Sequence, residues 1–109
     1  MNLAALCEQH GVTILYVFGS RADEVADWLR GRLDVLSPGG SDVDIGVLVA
    51  RDHSLDIEAK VRLAQELEAW LGVETVDLLT LGDADPFLAA NVVRGERLYA
   101  NNEDDADEF

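Results

Sequence analysis

Two aspartates enter one of the most apolar stretches of this chain. Residues 43–49 are mostly aliphatic and predict a buried strand, yet Asp44 lies within them and Asp42 directly before them. Alternate side chains of a strand point to the same face, so Asp42 and Asp44 share one face. Removing two like charges from water is costly, and a hard divalent cation bound by carboxylate oxygens is the simplest compensation. Two solvated aspartates ahead of the strand are the alternative.

Length and composition limit the class of protein. A chain of 109 residues, 49% of them hydrophobic, makes one domain with a real core and leaves no length for a separate substrate domain. No apolar run approaches the roughly 18 residues that span a bilayer, and the start lacks the pattern of a signal peptide. We therefore expect a cytoplasmic protein without membrane contact. The single cysteine, Cys7, permits no intramolecular disulfide.

Acidic residues outnumber basic ones, 22 against 8, and the formal net charge is −14 at pH 7. A field of this sign repels phosphate backbones, so we expect no direct nucleic-acid binding. The charge fits a solubilising surface, or else a basic partner or a cationic acceptor. Because the last nine residues are polar and strongly acidic, we expect a domain at residues 1–100 and a disordered tail at residues 101–109.

Hydrophobic periodicity predicts alternating helices and strands. The predicted helices cover residues 2–10, 55–71 and about 86–94, and the predicted strands cover residues 12–18, 43–49, 73–81 and 97–100. This order indicates an α/β domain with a small mixed β-sheet flanked by helices.

The helix predicted at residues 55–71 is the longest of the chain. Asp52 or Ser54 could cap its start, and Gly72 is expected to end it. Its apolar positions recur in steps of four and three, which predicts a buried stripe. The residues of that stripe are Ile57, Val61, Ala64, Leu67 and Leu71.

Gly19 and Ser20 follow directly after the first predicted strand. A glycine there lets the backbone approach a phosphate, and the serine offers its hydroxyl and amide at a helix N-terminus. The residues from Ser20 to Asp23 also have the pattern of a capping box, which is compatible with phosphate binding.

Asp77 is a lone acid inside the apolar stretch TVDLLTL. A single acid of this kind is often an edge-strand residue. Together with Asp42 and Asp44 it would supply the third carboxylate of a two-metal site.

The order of these motifs resembles a known family. A strand, then Gly-Ser, then Asp-x-Asp in a second strand and a third Asp in a later strand is typical of the DNA polymerase β type of nucleotidyltransferase fold. The phrases FGSRAD, SDVDIGVLV, VDLL and RGERLY cover most of residues 12–100. They resemble in particular the minimal nucleotidyltransferases, or MNT proteins, which are antitoxin partners of HEPN ribonuclease toxins.

The resemblance implies a mechanism and a set of roles. An acceptor hydroxyl would attack the α-phosphate of ATP in line, with pyrophosphate leaving and two Mg²⁺ ions neutralising the developing charge. Members of this kind transfer AMP to a tyrosine of the HEPN partner and so silence it. The roles carried over are the triphosphate at Gly19 and Ser20, Mg²⁺ at Asp42 and Asp44, and the completed metal site and acceptor deprotonation at Asp77.

Other interpretations of Arg21 and of the whole domain stay open beside this resemblance. Arg21 could contact phosphate or the partner, or be a solvated helix arginine. The domain could be a non-catalytic binding antitoxin, or could transfer a nucleotide to a small cationic molecule.

The connection between Ser20 and Asp42 is longer than in the smallest members of the family. The spacing of Ala22, Val25, Leu29, Leu33 and Leu36 predicts that most of this insert, at about residues 21–40, is helical. One straight helix to residue 36 would be about 24 Å long at roughly 1.5 Å per residue. The return to Asp42 spans at most about 17 Å, at roughly 3.4 Å for each of five steps. We therefore predict a break near Gly31, with a single unbroken helix as the rival.

Overall fold

The computed structural model describes residues 2–36, 42–50, 55–81 and 95–101. Within them, four strands form one mixed sheet in the order β3-β2-β1-β4. The strands are β1 (Val12–Phe18), β2 (Val43–Val49), β3 (Val76–Thr80) and β4 (Glu96–Ala100). The first strand is antiparallel to both of its neighbours, whereas β2 and β3 run parallel. The predicted mixed α/β sheet is confirmed, with β3 shorter than expected.

The described residues contain the helices α1 (Leu3–His10), α2 (Ala22–Leu29) and α3 (Ile57–Leu71). Asn2 caps α1, because its side chain accepts a hydrogen bond from the amide of Ala5 at 2.7 Å. Asp56 caps α3 in the same way, accepting from the amide of Ala59 at 2.7 Å. The cap is thus Asp56, and the two residues proposed for it lie at positions 52 and 54, outside the described residues. The helix predicted at about residues 86–94 also lies outside them.

One face of the sheet packs against all three helices. The sheet contributes alternate residues of its central strands, and each helix contributes one side. Members of this core include Leu6, Leu15, Val17, Val25, Val43, Ile45, Val47, Leu63 and Leu67. In β2 the valines and isoleucine therefore face the helices, as predicted, and Asp44 points to the other face.

A smaller cluster lies on the opposite face of the sheet. Ile14, Tyr16 and Leu81 are buried there, with Phe18 and Leu79 packed against them. The face that carries Asp44 is therefore apolar along most of its length.

The buried side of α3 agrees with the predicted stripe at Leu67 and Leu71 and differs from it nearer the start of the helix. Leu63, Leu67 and Leu71 are buried, whereas Ile57 is 82% exposed and Val61 is 52% exposed. Both sets have helical spacing, so periodicity alone could not decide which set faces the sheet.

The insert breaks at Gly31, where the short return to Asp42 led us to predict a break. The second helix ends at Leu29, and Gly31 has φ of 80°. The amide of Arg32 donates to the carbonyl of Asp27 at 2.8 Å and that of Gly31 donates to Trp28 at 3.1 Å, which is a Schellman motif. A single long helix is thereby contradicted.

Among the described residues of the insert, the only helix is Ala22–Leu29. No helix continues between residue 30 and residue 36. Leu33 is 40% exposed although Leu36 is buried, so the apolar spacing beyond the break does not mark one helix face. The return at residues 37–41 lies outside the described residues.

No helix in the described part of the chain is long and apolar enough to cross a membrane.

Candidate active site

The strand directions bring three distant stretches of the chain to one end of the sheet. Phe18 ends β1 and pairs with Asp44 at the start of antiparallel β2, which places the Gly19 turn beside Asp44. Asp77 in parallel β3 is the direct register partner of Asp44. The sheet therefore brings together the glycine-serine turn and the carboxylates that the sequence singled out.

Asp44 and Asp77 interact directly. Asp44 is half-buried, whereas Asp42 and Asp77 are exposed. Burial raises the pKa of Asp44 above its usual range, and the negative charges of Asp77 and Asp42 and a hydrogen bond with Asp77 raise it further. Crowding of like charges has this effect because ionising one carboxyl becomes harder beside another. A bound cation would relieve the same repulsion.

Gly19 lies against the carboxylate of Asp44. A Cβ added to Gly19 would collide with Oδ2 of Asp44 and lie 3.2 Å from its Cγ. Gly19 also has φ of 79°, a conformation that L side chains rarely adopt. The turn closes through a hydrogen bond from the amide of Ala22 to the carbonyl of Gly19, at 3.2 Å. Only glycine lets this turn come so close to the carboxylates.

Ser20 is exposed in this turn. The predicted capping box does not form, because α2 begins one residue later than that box requires. Its N-cap is Arg21, and no side-chain hydrogen bond caps the helix there. The Ser20 side chain therefore lies in the turn and does not cap α2.

Arg21 is buried, with 8% of its surface exposed. Its guanidinium donates from Nε to Oε1 of Glu24 at 3.0 Å, and Nη2 donates to the same oxygen. A solvated helix arginine is therefore contradicted. A buried cation needs such a partner, because an uncompensated charge in the interior is strongly destabilising.

The polymerase β nucleotidyltransferase model matches residues 2–104. The chain belongs to the polymerase β nucleotidyltransferase family. None of the curated protein sequences compared with this nucleotidyltransferase matches it.

Solved structures resemble this nucleotidyltransferase along nearly its whole length. A MntA toxin–antitoxin mutant, in which two aspartates separated by one residue are changed to glutamate, has a TM-score of 0.67 at 27% identity, over 99% of this chain and 83% of the matched chain. A toxin–antitoxin with AMP-PNP has 0.66 at 28%, over 97% and 79%. A tri-AMPylated Shewanella oneidensis HEPN toxin in complex with MNT antitoxin has 0.61 at 28%, over 97% and 76%. The resemblance to MNT antitoxins is confirmed.

The donor atoms of the site suit a hard cation. In the described ranges, no three Asp, Glu, His or Cys side chains already stand in the arrangement of a metal site. Asp44 and Asp77 form a close pair, and Asp42 acts on Asp44 through its charge. Carboxylate oxygens are the donors that Mg²⁺ prefers, and a cation beside Asp44 would offset the repulsion from Asp77 and Asp42. The residues of this nucleotidyltransferase fit the ion by chemistry and charge.

Two features of the site were not predicted from the sequence. Glu24 holds Arg21, and the only sequence signal was its spacing of three residues on a helix surface. Asp77 lies in direct register with Asp44, which depends on strand order and could not be read from either strand alone.

Proposed function

We propose that this nucleotidyltransferase transfers AMP from ATP to a tyrosine hydroxyl of a HEPN toxin and thereby acts as its antitoxin. The observation that carries the proposal is the meeting of the Gly19 turn with Asp44 and Asp77 at one end of the sheet. The similar structures support the substrate and the partner. One contains AMP-PNP, and another pairs an MNT antitoxin with a tri-AMPylated HEPN toxin.

The turn would bind the triphosphate. Gly19 lets its backbone approach the phosphates, and the exposed Ser20 would donate from its hydroxyl and amide. Arg21 would act on the phosphates through this turn, because its guanidinium is buried against Glu24 at the start of α2. The ion pair would hold the Arg21 side chain in place at the start of α2 and so steady the turn.

The carboxylates would hold the metal and accept the proton. Asp42, Asp44 and Asp77 would bind two Mg²⁺ ions through their oxygens, and the bound ions supply charge neutralisation for the phosphates. Asp77 is exposed and would take the proton of the acceptor tyrosine. The tyrosine oxygen forms a bond to the α-phosphorus as the bond to the bridging oxygen breaks, and pyrophosphate leaves.

Transfer of label from ATP to a HEPN protein tests the proposal. With Mg²⁺ and a candidate HEPN partner, the protein should transfer label from [α-³²P]ATP and none from [γ-³²P]ATP. Asp44→Asn should abolish transfer. Asp34→Asn, which makes the same chemical change at an exposed position of the insert, should leave it unchanged. Transfer that survives Asp44→Asn would refute the assignment.

A second candidate is a non-catalytic antitoxin that neutralises its partner by contact. The exposed apolar residues of the insert favour it, since Leu29, Leu33 and Val35 are 41%, 40% and 74% exposed. Exposed apolar patches often mark protein interfaces. Neutralisation of the HEPN toxin that persists in the Asp42→Asn/Asp44→Asn double variant would support this function over the catalytic one.

A further inference from the structure

The long helix α3 has an outward side that carries exposed aliphatic residues. We define the outer face of α3 by Ile57, Glu58, Val61, Arg62 and Gln65. Both aliphatic members are exposed, Ile57 at 82% and Val61 at 52%. The other side of the helix, with Leu63, Leu67 and Leu71, is buried against the sheet. The outer face is therefore an apolar surface with charges beside it.

The charges on this face have no ion-pair partner among the described residues. Glu58 precedes Arg62 by four residues, the order that favours an ion pair along one helix. In the described residues, neither side chain takes part in an ion pair or side-chain hydrogen bond. Glu58 and Arg62 are thus available to pair with another molecule, beside two exposed aliphatic residues.

We propose that the outer face of α3 binds the same face of a second copy of this chain, with the two helices antiparallel about a twofold axis. A twofold axis that passes between the two helices, level with residues 59 and 60, places Ile57 opposite Val61 of the partner subunit. The same axis places Glu58 opposite Arg62 of the partner subunit. Each contact then occurs twice, as an isologous interface requires.

The spacing of the two pairs favours a second copy over another protein. A twofold axis keeps each residue on its own side of the helix pair. The aliphatic residues therefore meet on one side, and the acid and the base meet on the other. The midpoints of the two pairs lie at residues 59 and 60, so one axis between them leaves each pair within about 1.5 Å of direct opposition. A different protein would not require this internal symmetry.

The interface is small, and the dimer it forms is weak. Two helical turns bury much less than the roughly 1,200–2,000 Å² of a stable interface. The net charge of −14 on each copy also opposes association. We therefore expect a dissociation constant on the order of 100 µM, well above that of a permanent dimer.

Sedimentation equilibrium of the full chain tests the pairing. Concentrations between about 10 and 300 µM bracket the expected dissociation constant. The wild-type mass should rise with concentration from that of the 11.9 kDa monomer towards the dimer. Glu58→Arg and Arg62→Glu should each weaken the dimer at least about tenfold, because like charges then face each other across the axis. The double variant Glu58→Arg/Arg62→Glu should restore it. Glu8→Arg, an equal charge change on α1, should not weaken it.

The restored double variant separates a lost contact from a lost fold, and far-UV circular dichroism checks each variant. Three results would overturn the proposal. They are a wild-type chain that stays monomeric throughout, a dimer indifferent to both single reversals, and single variants that the double variant does not rescue. Loss of HEPN binding in the single variants, without any effect on self-association, would assign the face to another protein. The outcome does not depend on whether AMP transfer occurs.

Discussion

Gly19 and Asp44 show how closely two residues can depend on each other. The glycine has a positive φ, and its α-carbon lies where a methyl group would strike the Asp44 carboxylate. Gly31 has nearly the same φ, 80°, but nothing lies within 4 Å of a Cβ added there. The two glycines therefore separate the cost of the backbone conformation from the cost of crowding the site.

Gly19→Ala should damage the site far more than Gly31→Ala. Both substitutions place alanine at positive φ, which costs about 1–2 kcal/mol of the free energy of unfolding. Only Gly19→Ala also displaces Asp44, and a displacement of about 1 Å at a reacting centre can lower turnover on the order of 100-fold. Urea unfolding and AMP transfer should be measured on both variants. Equal activity losses would show that the contact with Asp44 has no role.

The pKa of Asp44 makes stability depend on pH. Its folded-state pKa lies above the unfolded value of about 3.9, because of burial and the charges of Asp77 and Asp42. The folded state therefore holds the proton to higher pH than the unfolded state does. Stability falls as pH rises through the interval between the two pKa values, and the cost is absent below the unfolded pKa.

Asp44→Asn should remove this cost, because an amide can still donate a hydrogen bond to Asp77. Without divalent cations, the variant should be more stable than wild type at pH 7, and the difference should shrink towards pH 4. Urea unfolding in chelator across this range measures it, with Asp34→Asn as the matched control. A variant less stable than wild type at pH 7 would contradict the repulsion.

At the scale of secondary-structure elements, two tryptophans join α2 to α3. The rings of Trp28 and Trp70 meet edge to face, with centroids 5.0 Å apart and planes at 74°. The contact therefore joins the C-terminal end of α2 to the C-terminal end of α3. Aromatic pairs of this geometry contribute about 0.5–1.5 kcal/mol beyond their buried area.

A double-mutant cycle on Trp28→Leu and Trp70→Leu should detect that coupling. Leucine keeps much of the apolar volume and removes the ring contact. We expect a coupling free energy of about 0.5–1.5 kcal/mol in urea unfolding followed by far-UV circular dichroism. Trp28→Phe keeps a ring and should retain part of it. Purely additive single effects would mean that the rings do not hold the helices together.

Element limits were predictable where a local signal was strong. The limits of β1 and β2 agree with the prediction to the residue, because β-branched and other aliphatic residues dominate both strands. The break at Gly31 followed from chain geometry alone. The start of α3 was misplaced because several polar residues compete as caps, and Asp56 prevails through its bond to Ala59.

At the scale of the whole molecule, charge and sheet order act together. The net charge of −14 repels a phosphate ligand unless cations accompany that ligand. The sheet order concentrates part of that charge at one end, where Asp44 and Asp77 pair. A nucleotide with Mg²⁺ is the kind of ligand that such a site would accept, and a basic partner surface suits the remainder.

The sequence by itself determined the strand segments, the turn at Gly19 and the carboxylates, because each depends on periodicity or on a single residue's chemistry. The tertiary structure decided three matters. It selected Leu63 over Val61 as the buried side of α3, it buried Arg21 against Glu24, and it aligned Asp44 with Asp77. These outcomes depend on which surfaces the rest of the chain covers, and a local pattern that suits either side of an element contains no information about that.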